Sequence, residues 1–333
     1  MAATRLPLLT DGRWKGFHGI GRFACQVLLR LPEQVQLENG PKPLSLADPL
    51  WLSHHIITMR PKVFFSPGFN PPLLCPVPLV FTIHDLMQVE LGGVVTPAKR
   101  LYYNLLIKPA ARRAYRVLTV SEFSRAQILN WTGLPEERVV NVGNGVDYPF
   151  RQIGDRYRPG FPYILYVGNY RLHKNLDRLF AAFRDIDAPD LRLLLTGSAP
   201  PEMTARLARA GLKDRVGFLG AISDERLSAV YRGAKLLVLP SLSEGFGLPA
   251  LEAMACGIPV VASKNAALPE VLGGAGVLVD PLDISDIRSG IERVLGDSSL
   301  RMRMRRLGLQ RAGKYRWEKV GAAVCKVLQE AAG

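Results

Sequence analysis

Residues 235–262 read KLLVLPSLSEGFGLPALEAMACGIPVVA. The runs KLLVL (235–239) and IPVVA (258–262) are short and apolar along their whole length, the pattern of strands buried on both faces. Between them Glu244 precedes a Gly-Phe-Gly turn, Pro249 suits the first turn of a helix, and Glu252 falls inside that helix. Buried strands separated by helices imply a parallel sheet covered on both sides.

The same alternation extends outward. Toward the carboxyl end a strand is expected at 276–279, and toward the amino end at 216–219, 191–196 and 163–167 (YILYV). Before residue 146 strands are expected at 5–10, 62–66, 78–83, 117–121 and 138–142, with helices at 21–31, 98–115 and 122–131. The stretch VDYPFRQIGDRYRPGFP (146–162) has neither period and is rich in proline, glycine and charge, so it reads as the break between two halves. The division expected is 1–155 and 156–315, each large enough for a doubly wound sheet. A length of 333 residues agrees with two domains.

With 48% hydrophobic and 22% charged residues the chain is an ordinary globular one, which excludes a fibrous or disordered class. No apolar run reaches the roughly 18 residues of a membrane span, and MAATRLPLLTDGRW lacks the core of a secretory signal, so a cytoplasmic location is expected. Cys25, Cys75, Cys256 and Cys325 are scattered, which argues against a disulfide framework or a metal site; three of them read as small core residues. The net charge of +14 is concentrated in residues 97–125 and 301–319. Such clusters attract phosphates or remain a solvated basic face.

In parallel sheets ligands bind beyond the carboxyl ends of the strands, so the loops there are the candidates. The first N–H groups of a helix lack partners within it, and the helix dipole is positive at that end. The turn Gly245, Phe246, Gly247, Leu248 is therefore a seat for an anionic or oxygen-rich group, with Glu244 and Glu252 able to accept hydroxyls. A well-capped core helix is the alternative. In YVGNYRLHKNL (166–176), Arg171 and Lys174 precede a helix start, and both cations suit a diphosphate. Gly19 and Gly21 in GIGRFA match G-x-G-x-x-A, although DGRWKGFH separates them from the strand before by more than the dinucleotide fingerprint allows. His84, ending the strand of PLVFTIHD (78–85), points toward ligand or is satisfied by nearby backbone. Ser121 reads as a helix cap, and NVGNGVD (141–147) as a turn.

Taken together, GIGRF, THDL, VSEFSR, NGVD, YVGNYRLHKNL, SEGFGLPALEAMACGIPVVAS and ALPEVLGGAGVLVDP resemble the retaining glycosyltransferases of family 4, in that family's order and over most of the chain. The resemblance implies the GT-B fold, two Rossmann-like domains facing a cleft, with the last helix (316–333) crossing back onto the first domain. It implies that Glu244 and residues 245–248 hold the donor sugar, that Glu252 binds the ribose, and that Lys174 and the turn of Gly19 and Gly21 face the diphosphate. His84 is expected near the reacting sugar. The family's arginine is missing at both of its usual places, here Asn169 and His173, and Arg171 stands nearby.

The function expected is transfer of a hexosyl group, mannosyl from GDP-mannose or a related GDP-deoxyhexose, with retention and without a metal cofactor. The expected partners are the nucleotide-sugar donor, a glycan acceptor (lipid-linked, in surface polysaccharide synthesis) and an anionic membrane surface on the inner face of the cell membrane. The mixed cationic and apolar helix expected at 98–115 would rest on that surface. An NAD-dependent oxidoreductase leaves the loops of the second half unexplained. A nucleic-acid-binding protein wants aromatics among residues 301–313, which have none. An epimerase of the same fold remains as the other reading.

Overall fold

The computed structural model describes residues 8–16, 18–90 and 97–333. Two compact units emerge: Met1–Gly145 with Arg316–Gly333, and Val146–Tyr315. Residues 146–155, given to the first half on sequence, fall in the second unit. There Arg232 donates from Nε to the Asp155 carbonyl (2.6 Å) and from Nη1 to that of Arg151 (3.1 Å).

The first unit holds a six-stranded parallel sheet: β1 (Leu8–Asp11), β2 (Val35–Leu37), β3 (Val63–Ser66), β4 (Leu79–Thr82), β5 (Arg116–Thr119) and β6 (Val139–Asn141), in the order β2-β1-β3-β4-β5-β6. Strands β1, β3 and β4 are buried along their whole length, as their continuous apolar runs require. Of the strand expected at 5–10, residues 5–7 lie outside the described residues. Strand β2 was not expected: VQL is three residues long, half exposed, and interrupted by a polar side chain. The helix Asp48–Met59 was also missed, because Leu50 and Ile57 face solvent while Leu52 and Ile56 are buried, so no single apolar face declares itself. The helix expected over 98–115 is instead three pieces: Pro97–Tyr102, a π-helical turn at Tyr103–Ile107, and Lys108–Arg113. The Lys108 N–H reaches back to the Tyr103 carbonyl, and Pro109, which has no N–H, follows at once.

The helix Trp317–Ala332 belongs to this first unit and packs on the helix Gly19–Leu28. Trp317 is fully buried, with its ring 6.4 Å from that of Phe23.

The second unit repeats the plan with β7 (Tyr163–Tyr166), β8 (Arg192–Leu195), β9 (Val216–Phe218), β10 (Leu237–Leu239), β11 (Val260–Ser263) and β12 (Val277–Val279), in the order β12-β11-β10-β7-β8-β9. The two sheets with flanking helices are the GT-B pair of Rossmann-like folds. Each order reverses once, between β1 and β3 in the first unit and between β7 and β10 in the second. Such reversal points open a crevice at the strand ends.

The cysteine expectation needs correction. Cys256 alone is fully buried; Cys75 and Cys325 are half-buried and Cys25 is exposed. Cys25 lies in an apolar sequence, but on the outward side of its helix.

Candidate active site

The crevice between β7 and β10 gathers most of the expected residues. The loop after β7 forms a short 3-10 turn, Leu172–Lys174, and Asn175 then takes a left-handed conformation before the helix Leu176–Arg184. Asn175 fastens this loop: its Nδ2 donates to the carbonyls of Pro240 (2.9 Å) and Pro281 (2.6 Å). The loop after β10 answers with the Leu242 N–H donating to the His173 carbonyl at 2.7 Å. Two loops far apart in sequence are thus joined by backbone as well as side chain.

The junction sets Lys174 Nζ 2.7 Å from Glu244 Oε1, with both side chains only slightly exposed (13% and 11%). Ser241 donates its hydroxyl to the same Oε1, also at 2.7 Å. Among the described residues, Oε2 of Glu244 has no partner. Lys174 has three donors and one bond. The pair is therefore held in place with hydrogen-bonding capacity in hand. Their fields reach their neighbours. Burial, the proximity of Glu244 and then that of Tyr170 raise the Tyr166 hydroxyl well above its ordinary pKa. Burial and then the Lys174 charge push His173 below its own, partly offset by Glu244, so it stays neutral beside the lysine.

The turn that follows leads into the helix Leu248–Ala255. Gly247 is its first cap, at φ +100°, a left-handed conformation that glycine alone adopts without strain, and no side chain caps the helix from there. Phe246 turns its ring inward, 5.7 Å from Tyr315 and nearly perpendicular to it, so only its backbone faces outward chemistry. Gly245 lies between Glu244 and Phe246, and Leu248 is the first helical residue. Glu252 is buried further along, accepting the Tyr231 hydroxyl at 2.9 Å. Arg171 is exposed at the head of the 3-10 turn. Ser241, Asn175 and Tyr231 went unnoticed on sequence, since their partners are remote in the chain or, for Ser241, ordinary in type.

Gly19, Gly21 and His84 fall in the first unit. Gly19 opens the helix Gly19–Leu28, whose cap is His18: its Nδ1 accepts the Gly21 N–H at 3.0 Å. Gly21 serves the chain's own packing, because a Cβ there would lie 2.5 Å from the Gly16 carbonyl oxygen. His84 is buried, donates from Nε2 to the Pro67 carbonyl (2.9 Å), and meets the edge of Phe23 at 4.9 Å. Burial lowers its pKa to about 4, so it is neutral at pH 7 with the lone pair on Nδ1. Ser121 caps its helix as expected, accepting the Ser124 N–H at 3.0 Å.

At the first unit's own crevice stands a polar network. Asp11 takes a two-pronged bond from Arg13 (2.8 and 2.7 Å), Arg13 also reaches Asp48 (2.8 Å), and Asn70 donates to both acids (2.8 and 3.0 Å). Trp14 and Ser66 in turn donate to the Asn70 carbonyl oxygen. Among the described residues, no group of three or more His, Cys, Asp or Glu could share an ion.

Comparison with known proteins identifies the family and the fold. Residues 15–148 match the family model described as Glycosyltransferase Family 4, and residues 155–311 the model described as Glycosyl transferases group 1. O-antigen chain mannosyltransferase B of Escherichia coli is 35% identical over 72% of this chain and 67% of its own length. Serotype-specific mannosyltransferase WbdA of Escherichia coli is 30% identical over 66% of this chain, which spans only 29% of that longer protein. Sucrose-phosphate synthase of Thermosynechococcus elongatus has the same fold, with a TM-score of 0.80 at 22% identity over 98% of this chain and 99% of its own. With both sheets, both family models and these relatives in agreement, the chain is a glycosyltransferase and belongs to glycosyltransferase family 4.

Proposed function

We propose that the protein transfers a mannosyl group from GDP-mannose, or a related GDP-deoxyhexose, to a hydroxyl of a lipid-linked glycan during surface polysaccharide synthesis, with retention at the anomeric carbon. The observation that carries this reading is the Lys174–Glu244 pair, fixed at the second unit's reversal point with donors and an acceptor oxygen in reserve. The choice of a mannosyl group is supported by the two Escherichia coli relatives, both mannosyltransferases.

In this reading Lys174, assisted by Arg171 and the amides at the start of the helix Leu248–Ala255, balances the charge that grows on the leaving diphosphate. No metal is assigned. Glu244 and residues 245–248 grip the hexose, and Glu252 with Tyr231 meets the ribose. The bond from the anomeric carbon to the diphosphate oxygen breaks, the bond to the acceptor oxygen forms on the same face, and the acceptor proton passes to the departing phosphate oxygen. His84, neutral and pinned through Nε2, is assigned to orienting a sugar hydroxyl through Nδ1. The glycine turn of Gly19 and Gly21 is assigned to the phosphates.

The membrane side of the reading rests on residues 97–113. Leu101 and Leu105 are exposed there beside exposed Arg100, Arg112 and Arg113. Exposed leucines among cations suit the surface of an anionic bilayer. No helix among the described residues is long and apolar enough to cross one.

The test is transfer from GDP-mannose, UDP-glucose and ADP-glucose to a polyprenyl-diphosphate-linked glycan, with the anomeric configuration of the product read by NMR. Preference for GDP-mannose with an α-linked product is expected. An inverted product, or preference for another nucleotide, overturns the assignment. Sedimentation with neutral and anionic vesicles should show binding to the anionic ones alone.

A further inference from the structure

The opposite edge of the second unit's sheet carries a second basic site. Lys235 leads into β10 and Gly257, Ile258 and Pro259 lead into β11, so this edge lies at the amino ends of the strands, away from Lys174 and Glu244. A cavity of about 360 Å³ opens here, within the roughly 300–1,000 Å³ of small-ligand sites. Its lining includes Arg156, Arg232, Lys235, Arg301 and Arg305, and no carboxylate.

The ordinary duty of cations in such a place is to cover helix carboxyl ends, and two helices, Asp224–Gly233 and Leu248–Ala255, do end at the cavity. Each end amounts to about half a negative charge, far short of five cations. Two arginines are committed to backbone. Arg232 holds the Asp155 and Arg151 carbonyls, and Arg301 holds those of Val294 and Leu295. Among the described residues, the side chains of Arg156, Lys235 and Arg305 have no hydrogen bond or ion pair. Arg305 packs beside Gly257, where a Cβ would come within 3.3 Å of its Nε, yet among the described residues it bonds none of the helix-end carbonyls. This is a concave group of cations with its fork geometry unspent.

We propose that this cavity binds a phosphate-bearing anion, with Arg156, Lys235 and Arg305 as its ligands and Arg232 and Arg301 as its fixed positive wall. Phosphate oxygens match both the forked guanidinium and the ammonium point charge. The source is either a soluble polyphosphate or a lipid phosphomonoester headgroup; the recognising chemistry is the same.

The experiment uses the full chain carrying Lys174→Ala, which weakens anion binding at the other crevice, and reads the cavity as the difference between this parent and its cavity variants, so the two assignments fail independently. Inorganic tripolyphosphate is titrated calorimetrically into this protein and into the same protein with Arg156→Ser and Arg305→Ser. Loss of two bonds to charged groups should weaken binding at least about tenfold. Arg156→Ser with Lys235→Ser serves if the first pair perturbs folding, and Arg303→Ser with Arg306→Ser, exposed on the helix Ser298–Ala312 that also carries Arg305 but outside the cavity, should change nothing. Sedimentation of the same proteins with phosphatidylcholine vesicles, with and without phosphatidic acid, reads the lipid source as the difference between parent and cavity variant. A cavity-dependent loss in either assay supports the site and identifies its source. Equal binding by parent and cavity variant in both, or an equal loss from the Arg303 and Arg306 pair, overturns it.

Discussion

The two reversal points answer the same topological position in different ways. In the first unit Asp11, Arg13, Asp48 and Asn70 close on one another, with Arg13 4% exposed and both acids at 0%, and each carboxylate oxygen already taken. In the second unit a single lysine and glutamate meet, and among the described residues two of the three ammonium donors and one carboxylate oxygen are unclaimed. A buried network whose valences are exhausted can only shape the loops around it. A pair that is oriented but unsaturated can hold a ligand with its spare donors and oxygen while its two members stay bonded to each other. The contrast separates structural electrostatics from chemistry by counting bonds, where residue type alone would treat the two sites alike.

That contrast is open to attack, beginning with the largest effect. Arg13→Ala leaves the Asp11 and Asp48 carboxylates buried side by side without their cation, and unfolding in urea should show a loss of about 3–5 kcal/mol, the usual cost of breaking a buried charge pair. A loss below about 1 kcal/mol would mean the network is not the closed unit described. Lys174→Ala should do the reverse. Turnover should fall about 10²–10³-fold, as for removal of one preorganised donor, while the unfolding free energy in urea falls by only about 1–3 kcal/mol, because Ser241 still donates to Glu244. Intact turnover in this variant would falsify the role given to the pair.

A third measurement uses pH. His84 has a folded pKa of about 4, below the ordinary 6.5, so between these values the unfolded chain takes up the proton and the folded chain does not. Its contribution is complete above pH 6.5 and is lost as pH falls toward 4, by up to about 3 kcal/mol. His84→Gln, which keeps a donor for Pro67, should flatten that slope; an unchanged slope in the variant assigns it to other groups. The smallest effect is at Gly247→Ala. The left-handed backbone should cost about 1–2 kcal/mol, and the Cβ would press on Leu268 at 2.6 Å, a flexible methyl that can yield. A stability change near zero would show that this turn relaxes.

How much of this could be read beforehand follows from the range of the interactions. Strands such as Val260–Ser263 and Leu79–Thr82 declare themselves because burial on both faces leaves a continuous apolar run. Ser121 and Glu244 declare themselves because capping and strand-to-helix turns are local. Strand β2 and the helix Asp48–Met59 depend on neighbours supplied by the fold. So does Asn175, whose partners Pro240 and Pro281 lie 65 and 106 residues away. The network of Asp11 with Asn70 spans 59 residues and has no local pattern. Lys174 and Glu244 were each legible as candidates, but their junction depends on the strand order, which places β7 beside β10.

The helix Trp317–Ala332 carries a consequence for biosynthesis. The first sheet is translated early, yet the groove that receives Trp317, where a Cβ on Gly145 would lie 2.4 Å from the Trp317 amide nitrogen, stays unfilled until that late segment leaves the ribosome. Residues 146–315, contiguous in the message, have no such wait. A chain truncated just before residue 316 and released should therefore present a protease-resistant second unit joined to an incompletely closed first one, inverting the order in which the two were made.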